Sequence, residues 1–137
     1  MSALRARIFE NENDLAALCA LIAHARPVAW QSDYPGTMDL RELLAEPAVQ
    51  NSTRLWETEN GALVAYALVD ESSNLLFDVL PEARSPALDA EIFAWGAECV
   101  RQRNAETNAQ NTLDAVCRVE NAERVAWLEH FGFTRQA

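Results

Sequence analysis

The chain has 137 residues, of which 50% are apolar, and a formal net charge of −10 at pH 7. This length and apolar content predict a single domain over residues 1–137 with its own core. The negative charge argues against nucleic acid and anionic membranes as partners, because both bind basic surfaces. It is compatible with a cationic partner or an amine substrate, although solubility alone also explains it.

The ends and the cysteines give no sign of export or of metal binding. The first ten residues, MSALRARIFE, lack the apolar core of a signal peptide, and no apolar run is long enough to cross a membrane. We therefore expect a cytoplasmic protein. The three cysteines are far apart and form no Cys-x-x-Cys pair, so we expect reduced thiols and no metal site.

The first part of the chain predicts one strand and two helices. Residues 4–9 alternate apolar and polar side chains, which is typical of a strand. Residues 11–26 carry apolar side chains at helical spacing, with Asn11 as the N-cap and Pro27 as the stop. After a loop, residues 39–46 predict a short helix that Pro47 ends.

Residues 54–80 predict a three-stranded meander. The segments TRLWET, ALVAYALVD and LLFDVL are rich in β-forming residues and are separated by turn residues. Asn60 and Gly61 between the first two segments favour a type I′ hairpin turn.

The last part of the chain predicts helix, strand, helix and the start of another strand. Residues 87–104 have a helical apolar stripe that Gly96 weakens slightly. Residues 112–119, TLDAVCRV, predict a fifth strand, and residues 120–132 predict a helix with Gly132 just after its C-cap. Residues 133–137 could begin a sixth strand. The order β-α-α-β-β-β-α-β-α-(β) indicates an α+β (mixed α/β) domain with at least one crossover between parallel neighbours.

This order, together with two segments, resembles the GNAT superfamily of N-acyltransferases. The segment NAERVAWLEHFGF has Asn121, Gly132 and Phe133 at the spacing of the last motif of that family, and VLPEAR (79–84) resembles the segment that leaves its fourth strand. The resemblance implies a GNAT-like acyl-CoA N-acyltransferase fold, with a mostly antiparallel sheet of about six strands flanked by helices. It implies acetyl-CoA as co-substrate and an amine-bearing small molecule or peptide as acceptor.

The resemblance also implies where the cofactor binds. In the family, backbone N–H groups of the loop after strand four and of the next helix start bind the CoA pyrophosphate, because a helix N-terminus attracts anions. The cofactor-binding residues that it implies are Val79, Leu80, Arg84, Ser85, Ala87 and Asn121.

This loop departs from the family pattern of Arg or Gln, two residues, Gly, one residue, then Gly or Ala. Arg84 matches, but Ala87 and Asp89 stand at the two small-residue positions, and Pro86 has no N–H. The carboxylate of Asp89 would repel the phosphates. The same stretch also has a purely local explanation, in which Ser85 caps a helix, Pro86 occupies its first position and Asp89 suits its dipole. We therefore expect a degenerate cofactor loop.

The catalytic residues are not assigned by the sequence. Many family members have a tyrosine acid seven residues after the motif asparagine, and here that position is Leu128, which cannot donate a proton. Asp78 and Asp114 are the nearest candidates for a base, and Tyr34 or Tyr66 could replace the missing acid. All four have an ordinary structural interpretation as well.

The chain also ends early for the family. GNAT domains usually continue from the Gly-Phe pair into a hairpin, whereas four residues follow Phe133 here. We therefore expect a truncated final hairpin, as in the N-terminal half of a tandem GNAT protein. A sheet edge left open in this way would suit a second GNAT domain or a homodimer partner.

Three functions follow from these observations. The first is a GNAT acyltransferase domain that transfers an acetyl group from acetyl-CoA to an amine, with weak or absent activity alone because its cofactor loop is degenerate. The second is a non-catalytic GNAT-like interaction or scaffold domain of a larger or oligomeric acyltransferase. The third is an unrelated α+β binding domain, which would require strands four and five to pair along their whole length. In GNAT domains these two strands splay apart.

Overall fold

The computed structural model describes residues 3–136 and contains one antiparallel sheet with the strand order β1-β2-β3-β4. The strands are β1 Arg5–Ile8, β2 Thr53–Glu57, β3 Leu63–Val69 and β4 Leu75–Val79. The α-helices in this part of the chain are α1 Glu12–Ala25, α2 Thr37–Leu43, α3 Pro47–Asn51, α4 Pro86–Thr107 and α5 Ala122–His130. Short 3-10 turns occupy Val28–Trp30 and Pro81–Ala83. The predicted α+β class and antiparallel meander are confirmed, but the prediction of about six strands is wrong for the described residues.

The sheet lies between two helical layers, which explains why β3 is almost entirely buried. On one face, α1, α2 and α3 cover Leu55, Tyr66, Leu68 and Leu76. On the other face, α4 and α5 pack over a cluster that includes Trp56, Ala67, Phe77, Ile92 and Leu128. Because both faces are covered, the central strands read as continuous apolar runs instead of alternating ones.

The helix ends follow local capping chemistry. The side chain of Asn11 accepts from the Asn13 N–H at 3.0 Å, and α1 ends two residues before Pro27, as predicted. Pro47 behaves differently from the prediction, because it begins α3 at the first helical position. Proline suits that position, where its missing N–H would have no intrahelical acceptor. Gly132 follows the C-cap of α5 with φ +95°, which confirms its predicted role.

The hairpin between β2 and β3 does not contain the predicted type I′ turn. That turn requires positive φ at two consecutive residues, and here Gly61 has φ +84° while Asn60 does not have a positive φ. The Gly61 N–H donates to the Thr58 carbonyl at 2.9 Å, and the Thr58 N–H donates to the Ala62 carbonyl at 2.9 Å. The connection is therefore a three-residue loop with glycine in the left-handed position.

Residues 112–119 do not form the predicted fifth strand. They make one isolated parallel bridge, between Asn74 and Asp114, in which the Leu75 N–H donates to the Asp114 carbonyl at 2.7 Å. Beyond this bridge the segment leaves β4. The burial of its side chains does alternate, since Ala115 is half-buried and Val116 is 61% exposed, but this alternation does not provide a neighbouring strand for hydrogen bonding. Residues 133–136 are also outside any strand, so the predicted sixth strand is not present in the described residues.

Gly96 lies in α4 where the helix approaches this bridge. A Cβ at position 96 would lie 2.9 Å from Leu113 Cδ2 and 3.2 Å from Leu75 Cδ1. The missing side chain thus lets α4 pack closely against residues on both sides of the bridge. This contact explains a glycine in the interior of a long helix, where it is otherwise unfavourable.

The three cysteines are free thiols, and burial raises the pKa of Cys99 to about 11. Within residues 3–136, no helix has the length and apolar character that crossing a membrane would require.

Candidate functional site

A cleft of about 880 Å³ opens where the chain leaves β4. Its walls come from the end of β4, the starts of α4 and α5, the loop after α1, and residues 116–118. The cleft exists because β4 and the segment after Asp114 diverge beyond their single bridge. This divergence is the feature that separates a GNAT-like arrangement from an ordinary α+β sheet.

The structure brings four of the six predicted cofactor residues to this cleft. Val79, Arg84, Ser85 and Asn121 line it. Leu80 is half-buried against both cores, and Ala87 is exposed on α4, so neither belongs to the lining. The segment that leaves β4 and the start of α5 therefore meet in space, although they are far apart in sequence.

The start of α4 satisfies some of its own backbone N–H groups. The Ser85 hydroxyl accepts from the Leu88 N–H at 3.1 Å, and the Ser85 carbonyl accepts from the Asp89 N–H at 3.0 Å. Pro86 has no N–H to offer. Among the described residues, the amides of Ser85 and Ala87 are left without a protein acceptor at this helix start. The predicted Ser85 cap is confirmed, and it uses one donor that an external anion would need.

Asp89 contributes a mostly buried carboxylate to the same wall. Its side chain is 13% exposed, and one of its oxygens, Oδ1, is buried without a hydrogen-bond partner. Burial raises the pKa of Asp89, while Arg84 and the nearby indole of Trp127 offset part of that rise. The indole Nε1 of Trp127 is likewise buried without a partner.

Arg84 is held by groups of the protein itself. Its guanidinium lies over the Trp127 ring at 3.9 Å from the centroid and donates to Glu123 Oε1 at 2.8 Å. Its other terminal nitrogen lies 3.9 Å from Asp89 Oδ2. The positive charge predicted to meet the cofactor therefore faces two carboxylates.

Asp78, one of the two candidate bases, belongs to a buried network. Its Oδ1 and Oδ2 accept from Arg26 Nε and Nη2, each at 2.9 Å, and Oδ2 also accepts from the Tyr66 hydroxyl at 2.7 Å. Both oxygens are engaged, so Asp78 is not free to take a proton from an amine. Burial raises the pKa of Tyr66 well above its usual value, and Tyr66 is fully buried away from the cleft.

The remaining catalytic candidates lie in different places. Asp114 does not line the cleft but a second depression, which it shares with residues 131–134, and its Oδ1 accepts from the Thr112 hydroxyl at 2.9 Å. Leu128 is buried in the core. Tyr34 lines the cleft and is 45% exposed, so it is the tyrosine that the structure places within reach of a ligand.

Three arginines of the cleft are absent from the residues that the sequence predicts for the site. Arg26 pairs with Asp78, and Arg118 donates to both oxygens of Asp33 while its guanidinium lies 4.9 Å from the Trp30 ring centroid. Arg124 donates to the Phe77 carbonyl at 2.6 Å. The 11 lysine and arginine positions of this acidic chain are all arginines, and four of them line this one cleft. The sequence signal that could have identified these three arginines is the small number of basic residues, since a basic residue in so acidic a chain is a candidate for a specific role.

The splayed sheet with a cleft at its opening is the arrangement expected of a GNAT-like fold. No protein-family model and no curated protein sequence matches the chain. Solved structures do match it. A GCN5-related N-acetyltransferase from Sphaerobacter thermophilus superposes over 96% of this chain with a TM-score of 0.68 and 22% identity. The protein yncA from Salmonella typhimurium, solved with its cofactor acetyl-CoA, superposes over 98% with a TM-score of 0.64 and 19% identity.

Aminoglycoside N-acetyltransferase AAC(6')-Iy, solved with CoA, superposes over the whole chain (100%) with a TM-score of 0.67 and 15% identity. At these identities the likeness shows the fold alone. The chain spans 43% of the Sphaerobacter chain, compared with 82% of yncA and 91% of AAC(6')-Iy.

Proposed function

We propose that this chain is a GNAT-type acyltransferase domain whose cleft corresponds to an acetyl-CoA site, and whose transfer of an acetyl group to an amine is weak or absent when it acts alone. The observation that carries this proposal is the start of α4. Ser85 caps it, Pro86 removes a donor and Asp89 adds a negative charge. A pyrophosphate at this position would meet a carboxylate in place of a glycine-rich backbone.

The size of this obstacle follows from the charge. Two like charges about 4–6 Å apart repel by roughly 3–4 kcal/mol at an effective dielectric constant near 20. Because the Asp89 side chain is only 13% exposed, solvent screens it incompletely. A loss of that size weakens binding by about two orders of magnitude. Arg84, whose guanidinium Nη2 lies 3.9 Å from Asp89 Oδ2, offsets part of this repulsion, but the same guanidinium also pairs with Glu123.

The described residues of the cleft also supply few of the acid and base groups that acetyl transfer needs. An amine must lose a proton and the leaving thiolate must gain one. Tyr34 is our candidate for the acid because it lines the cleft and is 45% exposed, although burial and the charges of Asp70 and Asp39 raise its pKa and so make it a weaker acid. Two of the cleft carboxylates are engaged and so are poor candidates for the base, Asp78 by Arg26 and Tyr66, and Asp33 by Arg118.

The cofactor contacts that we propose are those the sequence predicts. Val79, Arg84, Ser85 and Asn121 would contact the ligand from the cleft wall. Leu80 and Ala87 are neighbours of this wall in sequence, and their contact with a cofactor stays a prediction.

The alternative is a non-catalytic interaction or scaffold domain of a larger or oligomeric acyltransferase. It is favoured by Leu128, which occupies the expected acid position and is buried in the core. It is also favoured by the span of 43% of the Sphaerobacter chain, since a longer chain leaves room for a further domain. The partner we propose in that case is a second GNAT domain, with a homodimer as the other possibility.

The test is a calorimetric titration with acetyl-CoA of the native chain and of the double variant Ala87→Gly, Asp89→Gly. We expect no saturable micromolar binding by the native chain and at least a tenfold gain in the variant, because the charge is removed and the backbone becomes accessible. The matched control is Ala105→Gly, Glu106→Gly, which makes the same type of change near the other end of α4 and should gain nothing. Micromolar binding by the native chain would refute the block, and an unchanged variant would show that Asp89 is not its cause.

A further inference from the structure

Arg124 differs from the three other arginines that line the cleft. Arg26 is paired with Asp78, Arg84 with Glu123 and Arg118 with Asp33. Among the described residues, no carboxylate lies within 4.0 Å of the Arg124 guanidinium. Arg124 therefore has no ion pair among the described residues, although its charge contributes, after those of Arg118 and Arg26, to the lowered pKa of Asp33.

The position of Arg124 is fixed by β4. Its Nη2 donates to the Phe77 carbonyl at 2.6 Å, and the guanidinium carbon lies 4.0 Å from the Phe77 ring centroid. The side chain therefore lies against the β4 edge from which residues 115–119 have diverged. A guanidinium has five N–H donors, and this contact with Phe77 uses one of them. The side chain is half-buried and lines the cleft, so an anion bound to it would meet reduced competition from water.

The start of α5 adds a second attraction for anions at the same wall. Asn121 caps this helix by accepting from the Arg124 N–H at 3.2 Å, and the Ala122 and Glu123 amides donate to no acceptor in the described part of the chain. Free amides at a helix start carry a partial positive charge. The Glu123 side chain pairs with Arg84 and is 81% exposed, so Arg84 and solvent both screen its negative charge.

Both helix starts have two amides without an acceptor in the described residues, so the two ends of the cleft differ in the side chain that each one carries. The start of α4 carries the carboxylate of Asp89, which Arg84 compensates in part, whereas the start of α5 carries the guanidinium of Arg124, which has no ion-pair partner in the described part of the chain. We propose that the cleft binds an anionic group of its ligand at Arg124 and the first amides of α5, and not at the start of α4. This inference rests on the proposed function in taking the cleft as the acyl-CoA site. The group bound is a phosphate of the CoA portion or a carboxylate carried by the acyl group, because a guanidinium fork binds either one.

The first experiment measures binding of two probes, inorganic pyrophosphate and succinate, to the native chain and to Arg124→Gln. We expect millimolar or tighter binding of at least one probe, and a loss of about ten- to a hundredfold in Arg124→Gln, since a charge-assisted hydrogen bond is removed. Arg124→Lys keeps the charge and should bind with intermediate affinity. The matched control is Arg101→Gln, which removes an arginine outside the cleft and should leave the affinity within twofold.

The second experiment uses the unmodified chain, so it does not depend on how a variant folds. Pyrophosphate or succinate is titrated while amide resonances are followed by NMR. We expect the amides of Ala122 and Glu123 and the side-chain Nε–H of Arg124 to shift in a saturable way, with smaller shifts at Ser85 and Ala87. Pyrophosphate alone binding would identify the phosphate as the ligand group, and succinate alone would identify an acyl carboxylate.

Two results would overturn the inference. One is that neither probe binds, and the other is that binding shifts the amides of Ser85 and Ala87 more than those of Ala122 and Glu123, or survives Arg124→Gln unchanged. Neither of these two results depends on the affinity for acetyl-CoA. A native chain that does not bind acetyl-CoA but binds pyrophosphate at Arg124 would support this inference and the proposed block of the cofactor site. Acetyl-CoA binding without any involvement of Arg124 would refute the inference and the block.

Discussion

Replacing Arg26 by glutamine should cause a large loss of stability, because it isolates a buried charge. Asp78 is 4% exposed and depends on two hydrogen bonds from the Arg26 guanidinium, which is itself 9% exposed. After Arg26→Gln the Tyr66 hydroxyl is the remaining partner of the carboxylate. Removing one partner of a buried ion pair costs about 3–5 kcal/mol. The same change frees the Asp33 carbonyl, which accepts from Arg26 at 2.8 Å.

This free energy converts into a shift of the melting temperature that circular dichroism measures easily. An unfolding entropy of about 2.1 cal/mol/K per residue implies roughly 3.5 °C for each kcal/mol in a chain of 137 residues. We therefore expect Arg26→Gln to melt about 10–17 °C below the native chain.

The control for this prediction is Arg101→Gln. Arg101 pairs with Glu98 at the surface, with side-chain exposures of 68% and 44%, and such pairs contribute less than about 1 kcal/mol. The double variant Arg26→Gln, Asp78→Asn should melt higher than Arg26→Gln, because it removes the isolated charge. A shift below about 4 °C for Arg26→Gln, or a double variant that melts lower still, would refute the argument from an uncompensated charge.

Two further predictions concern single positions. Gly132→Ala should lower the free energy of unfolding by about 1 kcal/mol or more, because φ is +95° and nothing crowds a new Cβ, so that the cost is backbone strain. Gly132→Asn should lower it less. Equal melting temperatures of the native chain and both variants would contradict the left-handed conformation of residue 132. Asp89→Asn should raise the melting temperature at pH 7. Because the pKa of Asp89 is raised in the folded chain, protonation of Asp89 stabilises the fold, and this stability is lost as the pH rises through the folded-state pKa. Below the usual pKa of 3.8, Asp89 is protonated in both states, so Asp89→Asn should no longer raise the melting temperature. A variant that melts lower at pH 7 would show that the Asp89 charge is well compensated.

The elements of the fold are predictable where the signal is local. Apolar spacing, the Asn11 cap and the Ser85-Pro86 start locate the long helices, and the β-rich runs locate the meander. The prediction of a fifth strand fails because the alternation of residues 112–119 determines which side chains face the core, whereas a strand also needs a neighbour at hydrogen-bonding distance. Pro47 is compatible with the end of one helix, but proline is equally suited to beginning the next one.

The site is predictable only in part, for a related reason. Arg84, Ser85 and Asn121 lie in segments whose order and spacing resemble a known family, so the sequence is sufficient to bring them to one site. The partners of Arg26 and Arg118 lie 52 and 85 residues away in sequence, and no local pattern connects them. The state of Asp78 depends on such a partner, which is why a candidate base proves to be a member of a buried ion pair.

Because Gly96 has no side chain, α4 packs closely behind the point where the sheet splays. The helix contacts Leu75 and Leu113 at once, so β4 and residues 112–114 are held together there by packing as well as by the Asn74–Asp114 bridge. The divergence of β4 and residues 116–118 therefore begins at a contact that is both packed and hydrogen-bonded. A larger side chain at position 96 would collide with Leu113 and Leu75, so it would disturb the point where the cleft begins although position 96 does not line the cleft.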